Sequence, residues 1–509
     1  MGEGILGHGS WVNCYFPPAP LSLPQISVGK YPPYGSSTPP ILPIPPSPLS
    51  PSTHPPNHPM LHNLHPLSRR PKPILLAIAL LAGLAIAPSL PVLLNSSPSP
   101  YRYPFTQTNR TDITGQLEQE LAFYKARIRR NPEDGLNQAA VAGVYLRLVQ
   151  ATGDANWYLM AEQAANTSLN NLPFNNSGAL LALANIAEAK HDFVQAIALA
   201  HQVLDIQPRH EEALAVLVTS HLGKGKIAAA DTAARQLVEQ APTLGSHTLM
   251  ALVHVAQGQD EAAIQRFQSA LAVEEPETLG SSAWTRTLMA RFYASRGQIK
   301  QAKALYREAL RILPRSPFVL TQLAQLETRL GQYRAAEKHY AQVFFSQDYP
   351  NVWDHVALQG MAQVKDLQGD RPGAEALWRQ AETLFRQHQD LSTFGHRREL
   401  ARLLLSRGLD RDLPEALTLM EADLQIRRDA ETLDIYAWVL TRLNRWQDAQ
   451  AILQDAIATG RRSAVIFTRA AQVETHLGNT AQAQTYRQSA QAADPTFGPR
   501  DRQIWGLGD

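Results

Sequence analysis

Cysteine is almost missing from this 509-residue chain: a single one, Cys14, stands near the start. No thiol is left beyond it to pair, so disulfide staples are excluded. Several catalytic signatures are missing as well. The sequence contains no His-Glu-x-x-His, no Gly-x-x-x-x-Gly-Lys-Ser/Thr, no Gly-x-Ser-x-Gly and no paired cysteine ligands. Zinc-protease, phosphate-loop and serine-hydrolase chemistries need those groups at those spacings, so each loses its sequence basis. An excess of one charge is lacking too. From Asp112 onward 41 basic and 44 acidic residues nearly cancel, whereas a groove that tracks phosphates is basic. The expectations are therefore no catalytic residue, no cofactor, no metal, no small-molecule substrate and no nucleic-acid partner.

Proline is scarce over most of the chain because 24 of the 36 lie between Met1 and Pro104. Residues 1–72 read as a proline-rich region without helical or strand period, extended or disordered. This is either a ligand for proline-binding modules or a stretch read from an upstream start, with Met60 as the alternative. Residues 73–94 form the one long apolar run, preceded by Arg69, Arg70 and Lys72. Only Ile74–Ala87 is free of proline, and at about 1.5 Å per residue that is ~21 Å of unbroken helix, short of a ~30 Å hydrocarbon core unless Pro88 and Pro91 are absorbed as a kink. Ala85-Ile86-Ala87 has the small-x-small pattern of a signal cleavage site, but Pro88 follows it directly. An uncleaved transmembrane helix or signal-anchor is expected, with a secreted or periplasmic protein after cleavage as the alternative. In both cases the three positive charges hold the N-terminal side in the cytoplasm and everything after Leu94 lies across the membrane. Residues 95–114 read as a polar linker.

From Gly115 apolar residues recur at i, i+3, i+4 and i+7, and β-branched runs are rare, so the rest is helical. Arg329–Tyr340 reads RLGQYRAAEKHY, and Ser295–Tyr306 reads SRGQIKQAKALY. Chemistry happens once; a motif restated at a fixed distance marks a structural unit that stacks. Aligned on it, an alanine returns at Ala161, Ala196, Ala230, Ala263, Ala302, Ala336, Ala374, Ala416, Ala449 and Ala483, at spacings of 33 to 42 residues. Five residues before most of them stands a turn-former: His191, Gly225, Gly258, Gly297, Gly331, Gly369, Asn444 or Gly478. Glycine or asparagine there ends a helix by accepting the left-handed conformation. Prolines such as Pro173, Pro208, Pro242, Pro314 and Pro495 stop the second helix. The small aligned alanine permits close helix crossing, and Phe267, Tyr306, Tyr340 or Trp378, four residues later, fills the gap beyond. The extra residues of the longer spacings predict longer loops near 274–282, 347–352 and 386–396.

GQYRAAEKHYAQV (Gly331–Val343), GQIKQAKALYREALRILP (Gly297–Pro314) and HDFVQAIALAHQVLDIQP (His191–Pro208) resemble the tetratricopeptide repeat in their glycine, aromatic, alanine and proline positions. Ten units are counted over residues 115–497, and residues 498–509 form a tail. The resemblance implies an all-α solenoid of stacked antiparallel helix pairs, whose first helices line a groove for a protein or extended peptide. It puts Asn185, Arg291, Gln325, Gln363, Arg402, Trp438 and Gln472 on that groove, one per unit. Taken singly, each also reads as a solvated polar position. The Lys-x-x-x-Asn carboxylate clamp of the family's chaperone-docking subtype does not occur.

The remaining features read structurally. His210-Glu211-Glu212 starts a helix, where acidic residues suit the dipole. His247 and His254 share a face without a third ligand, so they read as surface or core histidines. The basic spots His396-Arg397-Arg398 and Arg427-Arg428 read as solvated faces. The helix at Thr480–Asp494, with Tyr486 as its only large hydrophobic residue, reads as a cap. Ile504 and Trp505 in the tail either dock back or engage a partner. The function expected is a membrane-anchored interaction scaffold on the extracytoplasmic side, or alternatively a non-catalytic regulatory or recruiting subunit of an envelope enzyme complex.

Overall fold

The computed structural model describes residues 100–105, 113–276, 279–344, 351–387 and 396–507, all within one compact unit. The proline-rich stretch 1–72 and the apolar run 73–94 lie outside the described residues. All regular elements among the described residues are helices, and the single β-bridge joins Asp154 to Asn351.

A leading helix α1 (Ile113–Arg130) precedes ten helix pairs. They are α2 (Gly135–Thr152) with α3 (Asn156–Asn171), α4 (Ser177–Ala189) with α5 (Phe193–Ile206), α6 (Glu211–Gly223) with α7 (Ile227–Gln240), and α8 (Leu244–Ala256) with α9 (Asp260–Ala272). Next come α10 (Leu279–Ala294) with α11 (Ile299–Ile312), α12 (Pro317–Arg329) with α13 (Tyr333–Val343), and α14 (Asp354–Leu367) with α15 (Arg371–Gln387). The last are α16 (Arg397–Arg407) with α17 (Leu413–Asp423), α18 (Ala430–Arg442) with α19 (Trp446–Ala458), and α20 (Ala464–His476) with α21 (Thr480–Ala493), before a short α22 (Pro499–Ile504). The array is the expected all-α solenoid.

The sequence pattern explains the packing. All ten aligned alanines sit on the second helix of a pair, and each is fully buried. In α11 the residues Ala302, Leu305, Tyr306, Ala309 and Ile312 are buried, whereas Lys300, Gln301 and Arg307 are exposed. That is one apolar stripe against the neighbours and one wet face. First helices are enclosed further: α8 buries twelve of its thirteen residues, His247 and His254 among them. Second helices thus form an outer layer and first helices an inner one.

The turns follow the predicted chemistry. Positive φ occurs at Gly225, Gly258, Gly297, Gly331, Gly369 and Gly478, and also at His191 (62°) and Asn444 (59°). The pair α2/α3 lacks a glycine at the expected place and uses Gly153 (φ 75°), whose N–H bonds back to Val149. A short 3₁₀ turn at Asp410–Asp412 accommodates the enlarged connection between α16 and α17. Of the three longer loops, the one near 274–282 is cut short by α10, which begins at Leu279, and those near 347–352 and 386–396 lie largely outside the described residues. Helix α6 starts at Glu211 with His210 as its N-cap residue.

Two readings need correction. His396, Arg397, Arg398 and Arg427 are all buried rather than solvated, while Arg428 stays exposed. Arg427 bonds Asp423 at 2.9 and 3.0 Å, and Arg398 reaches Glu399 at 2.9 Å and Asp429 at 3.5 Å, so carboxylates from α16, α17 and the loop before α18 neutralise them. Residues 100–105, read as spacer, are docked: Tyr103 is 2% exposed, its N–H donates to Glu308 (2.7 Å), and Arg286 Nε donates to the Tyr101 carbonyl (2.8 Å).

The array also winds far enough to meet itself. Gly225 lies against the Arg428 carbonyl, where a Cβ would approach to 2.5 Å, and Gly258 against the Gly460 carbonyl. Asp260 binds Arg296 (2.8 Å) from the neighbouring pair and Arg462 (2.5 Å) from about 200 residues away. Arg329 binds Asp494 (2.5 Å) and Asp501 (2.7 Å) in the same manner.

Candidate functional site

The C-terminal residues lie across the inner helices, and this arrangement builds the site. After α21 the chain turns at Asp494, whose carboxylate accepts from Thr496 N–H (2.9 Å) and hydroxyl (2.8 Å). It then forms α22, started by Pro499, with the Gly498 N–H held by the Asp501 carboxylate at 2.9 Å. A left-handed Gly506 (φ 59°) ends the turn, and the Leu507 N–H bonds back to Arg502 at 2.8 Å. This closure satisfies the terminal carbonyls of the short helix.

The inner helices, together with the start of the outer helix α13, supply the opposing groups in succession. Arg329 at the end of α12 holds Asp501, and Tyr333 on α13 accepts from Arg500 Nε at 3.1 Å. Gln363 on α14 donates its amide to the Ile504 carbonyl at 3.1 Å. Arg402 on α16 stands 4.4 Å from the centre of the Trp505 ring. The Trp438 indole on α18 packs against Gly506, where no Cβ would fit, and has the Arg469 guanidinium 5.2 Å from its ring centre. Arg469 on α20 donates to the Trp505 carbonyl at 3.1 Å and to Asp434 at 2.8 Å.

Three of the seven predicted groove residues, Gln363, Arg402 and Trp438, are therefore brought together on one segment. The other four are not. Asn185 on α4 turns its amide to its own helix, bonding the Leu181 carbonyl at 2.9 Å. Arg291 on α10 is half-buried, Gln325 on α12 is exposed, and Gln472 on α20 is half-buried. Arg329, Tyr333 and Arg469 were missed. Arg469 lies three residues before Gln472, on the same helix face, so face geometry was the available signal.

The charges beneath this segment are mutually set. Burial pulls the Arg402 guanidinium below its ordinary range, while Glu431 pulls it the other way. For Glu399 burial pushes upward, but Arg427 and Arg398 outweigh it and hold the carboxyl well below the usual range. Glu431 behaves likewise: burial raises it, and Arg398, Arg402, Arg461 and Arg291 bring it down. The face offers cations and amides to a ligand with its own carboxylates already committed to arginines. Such a set binds carbonyls, carboxylates and aromatic rings. Among the described residues no group of three His, Cys, Asp or Glu is placed to hold a metal ion.

A tetratricopeptide-repeat profile matches residues 242–315, covering α8 to α11 and the turns at Gly258 and Gly297. That match identifies residues 242–315 as tetratricopeptide repeats. All ten pairs share their alanine register. Solved structures similar to this tetratricopeptide-repeat chain include a human IFIT1 dimer with PPP-AAAA, at 14% identity and TM-score 0.41 over 74% of this chain and 87% of that one. A tetratricopeptide repeat protein from Parabacteroides merdae has 15% identity and TM-score 0.34, over 55% and 98% respectively. Yeast Tom70 has 13% identity and TM-score 0.34, over 77% and 91%. No curated protein matches the sequence.

Proposed function

We propose that this tetratricopeptide-repeat protein is a scaffold that holds other proteins, through extended or locally helical peptide segments, on the inner face of its solenoid and does no chemistry itself. One observation carries the reading: Gln363, Arg402 and Trp438, from three successive repeats, already grip a peptide segment by its main chain and its aromatic side chain. An amide that donates to a peptide carbonyl and a cation over an indole are recognition contacts. The near-neutral repeat region speaks for a protein rather than a nucleic acid in that groove.

The proposal includes attachment to a membrane through residues 73–94, with the repeats on the extracytoplasmic side. Its support is the order of the sequence, three basic residues followed by the apolar run, which sets orientation by charge. Among the described residues no helix is long and apolar enough to cross a membrane, so the anchor rests on residues 73–94 alone.

Two experiments test the two halves. A photo-crosslinking amino acid at Gln325, exposed on the inner helix α12, is expected to capture a partner protein, whereas one at Arg307, exposed on the outer helix α11, is not; capture from Arg307 alone would refute the groove. A C-terminal tag is expected to resist protease until the outer barrier is opened, with residues 74–94 still present when the mature N-terminus is sequenced. Digestion only after the inner membrane is breached would refute the orientation.

A further inference from the structure

The occupied groove describes its own ligand. Between Gly498 and Leu507 the segment presents a carboxylate at Asp501, an indole at Trp505 and a left-handed glycine at Gly506, and each meets a dedicated group on the repeats. Its main chain is read as well, since Gln363 and Arg469 donate to the consecutive carbonyls of Ile504 and Trp505. By contrast, Gln503 between these points is exposed.

The attachment differs in kind from that of the repeats. Pairs such as α10/α11 are knit by buried leucines, alanines and aromatics in continuous clusters, and no residue of 498–507 belongs to any of those clusters. Within the segment only Asp501 and Leu507 are buried. It is held by the Asp501–Arg329 ion pair, by hydrogen bonds from Gln363, Arg469 and Arg500, and by the Arg402 and Arg500 cations over the Trp505 and Tyr333 rings. Contacts of that type exchange with a competing ligand; a shared apolar core does not.

We propose that residues 498–507 are an internal ligand of the groove, and that the groove's external partner is a peptide with the same chemistry: a carboxylate, three residues, then tryptophan-glycine and an apolar residue, folded as one helical turn. The partner displaces the segment to bind. This rests on the scaffold reading and names the class of peptide it recognises. Arg329 takes the carboxylate, Arg402 the indole face, Gln363 and Arg469 the two carbonyls, and Trp438 requires the glycine because a Cβ at that point would overlap its ring. A tethered segment competes at an effective concentration of about millimolar, so the intact chain is expected to bind such a peptide weakly and a chain whose own segment cannot dock to bind it well.

The test is a fluorescence-anisotropy titration of a labelled synthetic peptide, Gly498–Leu507, against the full chain. The chain carrying Asp501→Asn and Trp505→Ala is expected to bind the peptide at least tenfold more tightly than the unaltered chain. Adding Arg402→Ala, or using a peptide with glycine replaced by alanine at the position of Gly506, is expected to cancel the gain. Equal binding by the altered and unaltered chains would overturn the proposal, since the segment would then be a fixed part of the fold. Should the double variant fail to fold, hydrogen exchange on the unaltered chain decides: amides of 502–507 are expected to exchange faster than those of α20, and equal protection overturns the proposal. Repeats found in the cytoplasm would refute the placement and leave this result intact. A partner crosslinked at the outer face would refute the groove even if the peptide binds.

Discussion

Arg286 is the residue whose loss should be felt most sharply. It lies on α10, fully buried, and its guanidinium bonds both Glu274 oxygens at 2.5 and 2.9 Å, the Ser282 carbonyl at 3.1 Å and the Tyr101 carbonyl at 2.8 Å. Methionine in its place fills similar volume but leaves Glu274 buried without its cation. Removing one partner of a buried pair costs about 3–5 kcal/mol, and loss of the anchor at Tyr101 frees residues 100–105 in addition. Replacing both partners with apolar residues leaves no orphaned charge, so Arg286→Met with Glu274→Met is expected to recover all but about 1 kcal/mol of the loss. Urea unfolding followed by circular dichroism reads this directly. Stability in a solenoid resides in each repeat and its neighbours, so Arg286→Met should add an early transition for the repeats around α10 rather than shift the whole curve. Limited proteolysis should cut near Tyr103 in the single variant. If Arg286→Met unfolds within about 0.5 kcal/mol of the unaltered chain, the reasoning from buried, unpaired charge is wrong here.

Three further outcomes are expected. Leucine at Ala302 or Ala336, both fully buried at helix crossings, should destabilise by about 1–3 kcal/mol in thermal melts through overpacking. Asn444→Ala places an ordinary side chain at φ 59° and should cost about 1 kcal/mol, with Asn444→Gly close to neutral. Burial raises the Glu188 carboxyl to about 8, against a hydrogen bond to Thr219 that lowers it. The folded chain therefore holds a proton that the unfolded chain releases; this contribution is fully present below the ordinary glutamate range and is lost as pH rises through about 8. Glu188→Gln should flatten the decline of stability between pH 5 and 8, within about a unit at each end, and an unchanged slope would refute the assignment.

The local grammar of this fold was legible in sequence, because each rule acts within a few residues. Gly225 and Asn444 had to adopt left-handed turns, Ala302 had to be small, and Tyr306 had to fill the space beside it. What sequence could not supply was the partner of a residue a hundred positions away. Arg398 and Arg427 are a different case: Glu399 stands next to one and Asp423 four residues before the other, and only the closing of Asp429 from the next repeat buries them together. The tail has no period at all, so nothing announced that Trp505 would lie on Arg402 or Asp501 on Arg329. Of the positions that the family register put on the groove, Gln363, Arg402 and Trp438 meet the tail. The register could not foresee that Asn185 would spend its amide on its own helix.

The meetings of distant repeats have a consequence for ancestry. A repeat array ordinarily grows or shrinks by whole units, since each repeat touches only its neighbours. Here Gly153 meets Asn351, Gly225 meets Arg428, Gly258 meets Gly460 and Asp260 meets Arg462. One unit added or lost between those partners would slide every such meeting by a full repeat, setting side chains where two backbones now touch. The number of repeats is thus locked by the winding, and the chain's history should be one of substitutions within a fixed count rather than of duplication.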